Sequence, residues 1–342
     1  MSETLGGLVS CIKDLNRVVG ESLVKGTKLY RNRYTIDDEI GYGGFAKIYR
    51  AREQDRVEPV AIKMANKSDD PSYAKSLREE AKIIQRFNHQ NIVRIQLIPR
   101  VDKNGSVPYT NAVELSGSPV FFVMEYLHGG TLDAYLGQVK QLSVQEAVAI
   151  SLHVARGLDH MHQCGFSHND LKLENIVFRR LIVAGEPFSP VLIDFGIATR
   201  VQQPSAGSLY IMPPEQVARV KMVAPPEVTN GIDRTKIDVW GLGVVLYRML
   251  GGQLPFSGRS ERSLTQQINR SRPISLCSLA GNIPPELEEL VIDGCLAKAP
   301  ENRLNLLELG RFLAKFADGD VVAQQSADAG KSAGIFGRLF GR

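Results

Sequence analysis

Apolar residues recur every three or four positions near the start of the chain, with charged residues between them. Leu5, Leu8, Ile12 and Leu15 fall on one face of a helix at that spacing. The pattern therefore predicts an amphipathic helix over residues 5–24. Such a helix either packs on the domain that follows or offers a docking or dimerisation surface, and the pattern fits both.

Residues 34–122 contain short apolar stretches of the kind that forms strands. The clearest strands are 46–50 and 60–64, and one helical pattern covers 73–87. From residue 131 onward helical spacing dominates. A sheet-rich first part followed by a helix-rich second part predicts an α+β protein of two lobes.

Junctions and loops divide the chain further. The lobes are expected to join near residues 124–130, and two segments rich in turn-forming residues, 102–118 and 179–190, are predicted to be surface insertions. Beyond residue 316 the composition shifts to Ala, Gly, Asp, Gln and Ser, which predicts a flexible tail. The predicted parts are a helical N-terminal segment, one large domain and a tail, with the bounds 1–33, 34–316 and 317–342.

The composition is that of an ordinary globular protein, with 43% hydrophobic and 23% charged residues. The net charge of +4, without a dense run of Lys or Arg, argues against a nucleic-acid partner and leaves small molecules or proteins. No apolar run approaches the about twenty residues that span a bilayer, and no leader pattern follows Met1. The 4 cysteines form no C-x-x-C pair, which argues against a zinc site or a disulfide framework and favours a cytoplasmic location.

Residues 41–49, GYGGFAKIY, form a glycine-rich stretch between two apolar segments. Glycine lets the backbone turn closely enough for N–H groups to meet phosphate oxygens. Glycines also mark ordinary hairpin turns, so this stretch on its own is compatible with either interpretation.

Lys63 ends an apolar run on a predicted strand, and a buried ammonium group needs a partner. The helix that follows offers Glu80 beside the apolar positions Leu77 and Ile84, so Glu80 is predicted to reach inward to Lys63. Together they would hold the α- and β-phosphates of a nucleotide. A surface lysine with a solvated glutamate is the alternative.

Residues 168–175, HNDLKLEN, and 193–196, IDFG, place residues able to accept a proton or coordinate a metal in two turns around a hairpin. They resemble the H-R-D-L-x-x-x-N and D-F-G motifs of the protein kinase family. With the glycine-rich stretch, the lysine and the glutamate, the motifs resemble that family in order and spacing over 34–316. The resemblance implies a two-lobed protein-kinase-like fold, with a small β-rich N-lobe and a larger helical C-lobe.

The resemblance also implies catalytic roles. Asp170 would orient the attacking hydroxyl group and accept its proton, while Lys172 would neutralise charge on the transferring γ-phosphoryl group. Asn175 and Asp194 would hold Mg2+ against the phosphates of ATP. A lysine at position 172 resembles the serine/threonine branch of the family.

The same resemblance assigns the residues that bind ATP. Residues 123–130, VMEYLHGG, resemble the hinge, with Met124 at the back of the adenine pocket and backbone groups of Glu125 and Leu127 on the adenine edge. Ala61 and Ile48 would cover the ring, and Val177 would be its floor. The assigned set is Ile40, Gly41, Tyr42, Gly43, Gly44, Phe45, Ala46, Ile48, Ala61, Lys63, Glu80, Met124, Glu125, Leu127 and Val177.

Four features depart from the family pattern. Ala46 stands where a third glycine is usual, which stiffens the loop slightly. Asn169 stands where many relatives have an arginine that binds a phosphate on the activation segment, so activity without such a phosphate is predicted. Leu173 in place of a proline, and Pro-Pro-Glu in place of Ala-Pro-Glu, do not touch the chemistry.

Two glutamates compete for Arg303, which resembles the late arginine of the family that pairs with a glutamate. Glu215 ends the sequence MPPE, and Glu227 ends the similar sequence APPE. Spacing from the Gly-Ser turn at 207–208 favours Glu215, whereas spacing to Asp238 favours Glu227. We favour Glu215, because the Gly-Ser turn must lie beside the catalytic residues.

The predicted function is transfer of the γ-phosphoryl group of Mg-ATP to a serine or threonine hydroxyl of a protein substrate, by a bacterial-like soluble kinase. A pseudokinase scaffold, which normally lacks a catalytic lysine or acid, is one alternative. A small-molecule kinase, which usually lacks counterparts of residues 195–196, is another. A partner that docks on the N-terminal helix, or on residues 335–342, IFGRLFGR, is a further hypothesis; the alternative for the latter is a plain disordered tail.

Overall fold

A computed structural model describes five stretches of the chain, residues 22–66, 70–100, 104–195, 206–220 and 233–317. The described residues form two compact units, and the chain passes from the first to the second between Leu127 and His128, inside the predicted junction. The first unit contains the described residues up to 88 together with those in 93–127 and 194–195, and the second contains the others.

Both predicted terminal segments lie largely outside the described residues. Of the predicted helix over 5–24, only residues 22–24 are described, and they have no regular secondary structure. Of the predicted tail, only Ala317 is described, where it ends a helix.

The first unit is built on an antiparallel sheet. Its elements are β1 (Lys28–Leu29), β2 (Tyr34–Tyr42), β3 (Ala46–Glu53), β4 (Val60–Ala65), α1 (Pro71–Ile84), β5 (Ile95–Gln96), β6 (Ile98–Pro99), β7 (Ser106–Val107), β8 (Thr110–Asn111) and β9 (Val120–Glu125). The strand order is β1, β2, β3, β4, β9, β5; β8 also pairs with β9, and β6 pairs with β7 in a separate ribbon.

The two faces of the sheet carry different residues. Ile48 lies opposite Lys63, and Ala61 lies opposite Met124, so these four side chains share one face. The other face packs into the hydrophobic core of the unit, which consists of Leu29, Tyr34, Ile36, Tyr49, Ala51, Val60, Ile62, Met64, Ile98, Ala112, Leu115, Phe121 and Val123.

The sheet includes residues that the sequence pattern did not predict to be part of it. β1 pairs with β2, so the sheet begins before the predicted boundary at residue 34. The predicted surface insertion 102–118 provides β7 and β8 and buries Ala112 and Leu115 in the core. The other described residues of this segment are exposed or half-buried, so the surface prediction is wrong only at Ala112 and Leu115. It missed the two strands because Gly, Pro and Asn also mark tight turns between short strands.

Helix α1 begins slightly earlier than predicted. Asp70 is its N-cap and accepts a hydrogen bond from the backbone N–H of Ser72, while Pro71 occupies the first turn. The face that includes Leu77 and Glu80 is buried. The helix therefore presents an acid toward the interior of the unit.

The second unit is mainly helical. Its helices are α2 (Leu132–Val139), α3 (Val144–Gln163), α4 (Pro214–Val220), α5 (Thr235–Gly251), α6 (Glu261–Arg270), α7 (Leu276–Leu279), α8 (Pro285–Glu289), a π-helix (Leu290–Cys295) and α9 (Leu306–Ala317). A hairpin joins β10 (Ile176–Phe178) to β11 (Pro190–Leu192), and 3-10 turns cover Leu173–Asn175, Ala206–Ile211 and Pro300–Asn302.

The succession of strands and then helices confirms the predicted α+β fold class. Helix α5 is buried along almost its whole length, in keeping with a sequence that is apolar on all sides. Within the described stretches, no helix combines the length and the hydropathy needed to cross a membrane.

Candidate active site

Lys63 and Glu80 form the ion pair that the sequence predicts. Lys63 Nζ donates to both carboxylate oxygens of Glu80, at 2.7 and 2.9 Å. It also donates to Oδ1 of Asp194 at 3.1 Å. β4 supplies the lysine and α1 the glutamate, and both side chains are buried. Three charged groups predicted to act together therefore meet in the first unit.

The charge of Lys63 is strongly maintained. Burial alone lowers the pKa of this lysine, but the carboxylates of Asp194 and Glu80 outweigh burial and raise the pKa above its ordinary value. The ammonium group is therefore positive at physiological pH. A fixed positive charge of this kind is suited to binding phosphate oxygens.

The glycine-rich stretch forms the turn between β2 and β3. The N–H of Gly43 donates to the carbonyl of Ala46 at 2.9 Å, and Asn66 Nδ2 donates to the carbonyl of Gly43 at 2.7 Å. A Cβ atom added to Gly44 would meet no atom within 4 Å. Packing inside the unit therefore does not require this glycine, whereas close approach of a ligand to the backbone would. Sequence reasoning missed Asn66, which has no motif of its own.

Asp170, Lys172 and Asn175 are brought together in the second unit. Lys172 Nζ lies 3.0 Å from Oδ2 of Asp170. Asn175 Nδ2 donates to the backbone carbonyl of Asp170 at 2.9 Å and lies 3.2 Å from its Oδ2. Asp170 and Asn175 are buried. The carboxylate is therefore held in one orientation by an amide and an ammonium group.

A buried acid on α5 holds the backbone that precedes Asp170. Asp238 is fully buried, and its two oxygens accept hydrogen bonds from the backbone N–H groups of His168 at 2.9 Å and Asn169 at 2.7 Å. Asn169 has a left-handed backbone with φ of 62°. Sequence reasoning used Asp238 only as a reference for the spacing of Glu227 and missed this contact. An acid in the first turn of an otherwise apolar helix was the available signal.

Asp194 also has a left-handed backbone, with φ of 64°. Non-glycine residues in this conformation are uncommon and cluster at functional sites. The next residue, Phe195, is fully buried, and its ring lies 5.7 Å from that of Phe87. The packing of Phe195 against Phe87 fixes the backbone next to Asp194, whose carboxylate contacts Lys63.

The residues assigned to adenine are placed as follows. Ile48, Ala61 and Met124 share the sheet face that carries Lys63. The N–H of Glu125 already donates to the carbonyl of Arg94, so an adenine contact at Glu125 would fall to its carbonyl group. Of the remaining residues assigned to ATP, Leu127 lies at the end of the first unit and Val177 is buried on β10. The side chains of Ile40, Tyr42 and Phe45 are exposed.

The protein kinase domain family matches residues 34–311 of the chain. This match covers most of the chain and includes every residue to which a site role was assigned. The chain belongs to the protein kinase family. Members of this family use ATP with a divalent metal ion.

Bacterial serine/threonine kinases are similar to this kinase. Serine/threonine-protein kinase PknB of Mycobacterium leprae (strain TN) is 32% identical over 277 residues, which are 80% of this chain and 41% of that protein. Serine/threonine-protein kinase PkaA of Streptomyces coelicolor is 27% identical over 318 residues, 89% of this chain and 53% of that protein. The names of both relatives give the serine/threonine type that the sequence predicts for this chain. The chain spans about two-fifths to one-half of the length of these curated relatives.

A solved structure shows the same fold. The crystal structure of Rad53 1–466 in complex with AMP-PNP has a TM-score of 0.63 and 23% sequence identity to this kinase. The alignment covers 83% of this chain and 66% of that one. The predicted kinase-like fold is confirmed.

The structure also decides between the two candidate partners of Arg303. Its guanidinium donates to both carboxylate oxygens of Glu215, at 2.7 and 2.8 Å. The preference for Glu215 is confirmed, while Glu227 lies outside the described residues. The pair lies in the second unit of the kinase, at the start of α4.

Tyr210 is a further contact that sequence reasoning missed. Its hydroxyl group donates to the carboxylate of Glu174, which belongs to the turn between Lys172 and Asn175. Burial, followed by the charge of Glu174, raises the pKa of Tyr210. The hydroxyl therefore remains protonated and able to donate.

Proposed function

We propose that this chain transfers the γ-phosphoryl group of Mg-ATP to serine or threonine hydroxyl groups of a protein. The observation that carries the proposal is the buried carboxylate of Asp170, held at Oδ2 by Lys172 at 3.0 Å and by the amide of Asn175 at 3.2 Å. An oriented carboxylate accepts the proton of an attacking hydroxyl group. The neighbouring ammonium group is suited to stabilising charge that develops on a phosphoryl group.

The first unit supplies the groups that hold the nucleotide. Lys63 would contact the α- and β-phosphates, since Glu80 fixes its ammonium group by two hydrogen bonds. The open position at Gly44 would let phosphate oxygens approach the backbone of the glycine turn. Ala61, on the same sheet face as Lys63, would contact the adenine ring.

Asn175 and Asp194 fit the requirements of a magnesium ion. The NH2 group of Asn175 makes both hydrogen bonds to Asp170, which leaves the side-chain oxygen Oδ1 to coordinate the ion. Asp194 offers a carboxylate, and magnesium prefers oxygen ligands of these two kinds. When bound, the ion would neutralise charge on the ATP phosphates.

The test is transfer of labelled phosphate from ATP to a generic basic protein in the presence of magnesium, followed by phosphoamino-acid analysis. Labelled phosphoserine or phosphothreonine is expected. Asp170→Asn and Asp194→Asn should each nearly abolish turnover, because the first removes the proton acceptor and the second a metal ligand. Asp170→Asn should still bind magnesium-ATP in calorimetry.

Asp55→Asn is the matched control. Asp55 is exposed and has a left-handed backbone that asparagine tolerates, so the same chemical change should leave turnover unaltered. If the wild-type chain binds magnesium-ATP but never transfers phosphate, it acts as a pseudokinase and the proposal is wrong. Retention of more than a few per cent of turnover in Asp170→Asn would overturn the assigned role.

A further inference from the structure

A cavity of about 220 Å³ lies in the first unit, and none of its lining residues has been assigned to ATP or catalysis. It is bounded by the end of β4, the first turns of α1 and the segment from β8 to β9. By this measure a single water molecule needs only about 10–15 Å³, so the cavity has room for a small ligand. The lining residues are Ala65, Pro71, Ala74, Arg78, Asn111, Gly117, Ser118, Pro119 and Val120.

Arg78 is the one charged residue in this lining. Across the stretches of chain that the structure describes, no carboxylate lies within ion-pair distance of its guanidinium. The centre of the Tyr109 ring lies 6.0 Å from the guanidinium carbon of Arg78 and 5.9 Å from Nζ of Lys82. Two cations of α1 therefore flank one neutral ring, and the positive charge at the cavity is not balanced by a described acid.

The opposite wall carries neutral polar groups in a constrained turn. Asn111 Nδ2 donates to the carbonyl of Ser118 at 2.6 Å, and the N–H of Ser118 donates to Leu115. Ser118 has φ of 43° and follows Gly117, with φ of 72°. These bonds hold Ser118, which lines the cavity, in a backbone conformation that favours glycine.

We propose that this cavity binds an oxyanion, namely a phosphate group, between the guanidinium of Arg78 and the hydroxyl of Ser118. The guanidinium matches the oxygens of phosphate with two parallel N–H donors, and a serine hydroxyl group is a further donor. The lining contains no carboxylate that would repel the anion. Free phosphate and a phosphorylated protein side chain share this chemistry.

Occupancy of the site has a consequence for α1. This helix carries Arg78 at the cavity and, two residues on and on another face, Glu80 at Lys63. A bound phosphate group links α1 to the segment 111–120 and so opposes movement of Glu80 away from Lys63. The effect on catalysis rests on the proposed function, whereas binding of the anion does not.

Calorimetric titration of the full chain without nucleotide tests the site, with inorganic phosphate and N-acetyl-phosphoserine amide as the two probes. Arg78→Gln should weaken binding of the tighter probe by about tenfold or more, since a charge-assisted bidentate contact is lost. Ser118→Ala should weaken it less. Preference for the phosphoserine probe assigns the site to a phosphorylated side chain, and preference for inorganic phosphate assigns it to the free anion.

Two matched variants control for other sites. Lys75→Gln removes an exposed cation of α1, and Lys75 does not line the cavity. The affinity of this variant for phosphate should stay within about twofold of wild type. Lys28→Gln removes an exposed cation of β1, in the same unit but outside the lining, and should also leave phosphate affinity within about twofold of wild type. Unchanged binding in a folded Arg78→Gln variant, or no saturable binding to wild type, would overturn the proposal.

Hydrogen exchange tests the link to α1. Phosphate should slow amide exchange in the second half of this helix, which contains Glu80, in wild type and not in Arg78→Gln. Binding without any change in exchange would overturn the link to Glu80.

Discussion

At the scale of single residues, Arg303 shows what a buried charge requires. Its side chain is fully buried and donates, besides the two bonds to Glu215, to the carbonyl groups of Ala297, Lys236 and Lys298. Carbonyl groups satisfy its N–H donors but do not balance its charge. Glu215 is therefore the group on which the burial of this guanidinium depends.

Glu215→Ala should lower the free energy of unfolding by about 3–5 kcal/mol, because it leaves a buried charge without its counterion. Glu227→Ala, at the alternative glutamate, should have almost no effect. Urea denaturation of both variants beside wild type measures the difference. A large loss for Glu227→Ala with none for Glu215→Ala would contradict the pairing.

Lys298 is a second unusual cation in the same region. Its Nζ donates to the carbonyl of Ile268 at 2.6 Å and lies 3.9 Å from the centre of the Phe256 ring. Burial, followed by the charge of Arg303, lowers the pKa of Lys298 from 10.5 to about 8. The folded protein therefore releases this proton more readily than the unfolded chain does.

The stability of the fold should reflect this shift. Between about pH 8 and pH 10.5 the unfolded chain holds the Lys298 proton while the folded protein has released it, so Lys298 makes the free energy of unfolding rise with pH in that window. Below about pH 8 both the folded and the unfolded chain hold this proton, so the gain in the free energy of unfolding is absent. Lys298→Met should lack the rise. Urea denaturation across the window compares the two proteins, and equal pH slopes would show that the lysine is not shifted.

At the scale of elements, α5 depends on a glycine where it meets the π-helix. A Cβ atom at Gly243 would lie 2.5 Å from Cβ of Cys295 and 3.1 Å from Leu296 Cδ2. The side chains of Cys295 and Leu296 lie so close to Gly243 that a side chain at this position would not fit. Gly310 in α9 differs, since an added Cβ atom would meet nothing within 4 Å.

Replacement by alanine should have opposite effects on the stability of the protein at these two glycines. Gly243→Ala should destabilise the protein by about 1–3 kcal/mol through overpacking. Gly310→Ala, an equivalent change at an open helical position, should stabilise it by about 0.5–1 kcal/mol through helix propensity. Thermal denaturation of each variant provides the measurement, and a stabilised Gly243→Ala would refute the close packing.

At the scale of the whole molecule, the backbone next to Asp170 is held by contacts within the second unit. The backbone N–H groups of His168 and Asn169 are bound by Asp238, and Gln216 Nε2 donates to the carbonyl of Asn169 at 3.3 Å. The side-chain amide of Asn169 donates to the carbonyl of Ser167. A neutral amide thus occupies the position of the arginine in the H-R-D motif of the family.

Activity should therefore not depend on phosphorylation of Thr199, Ser205 or Ser208. Enzyme treated with phosphatase is expected to keep the initial rate of mock-treated enzyme in the peptide kinase assay. A large drop that autophosphorylation restores would show that another group receives an activating phosphate.

Much of the site was predictable because phosphoryl transfer imposes particular residue types at particular spacings. The Lys63–Glu80 contact followed from an apolar strand that ends in lysine and from a helix with one buried face. The two strands within residues 104–118 and the burial of Ala112 and Leu115 did not follow, because turn-forming residues suit both exposed loops and short strands. Asp238 was missed as the holder of the catalytic loop, since its partners are about seventy positions away in the chain.

The sequence by itself determined the family, the division into a strand-rich first part and a helix-rich second part, and the identity of the predicted catalytic groups, because these depend on local spacing and residue chemistry. Only the tertiary structure decided which glutamate meets Arg303, since two similar sequences, MPPE and APPE, offer the same local signal. It also decided that Lys298 lies against an aromatic ring and that Gly243 packs against the side chains of Cys295 and Leu296. Burial and close approach are properties of residues distant in the chain, and no local pattern specifies them.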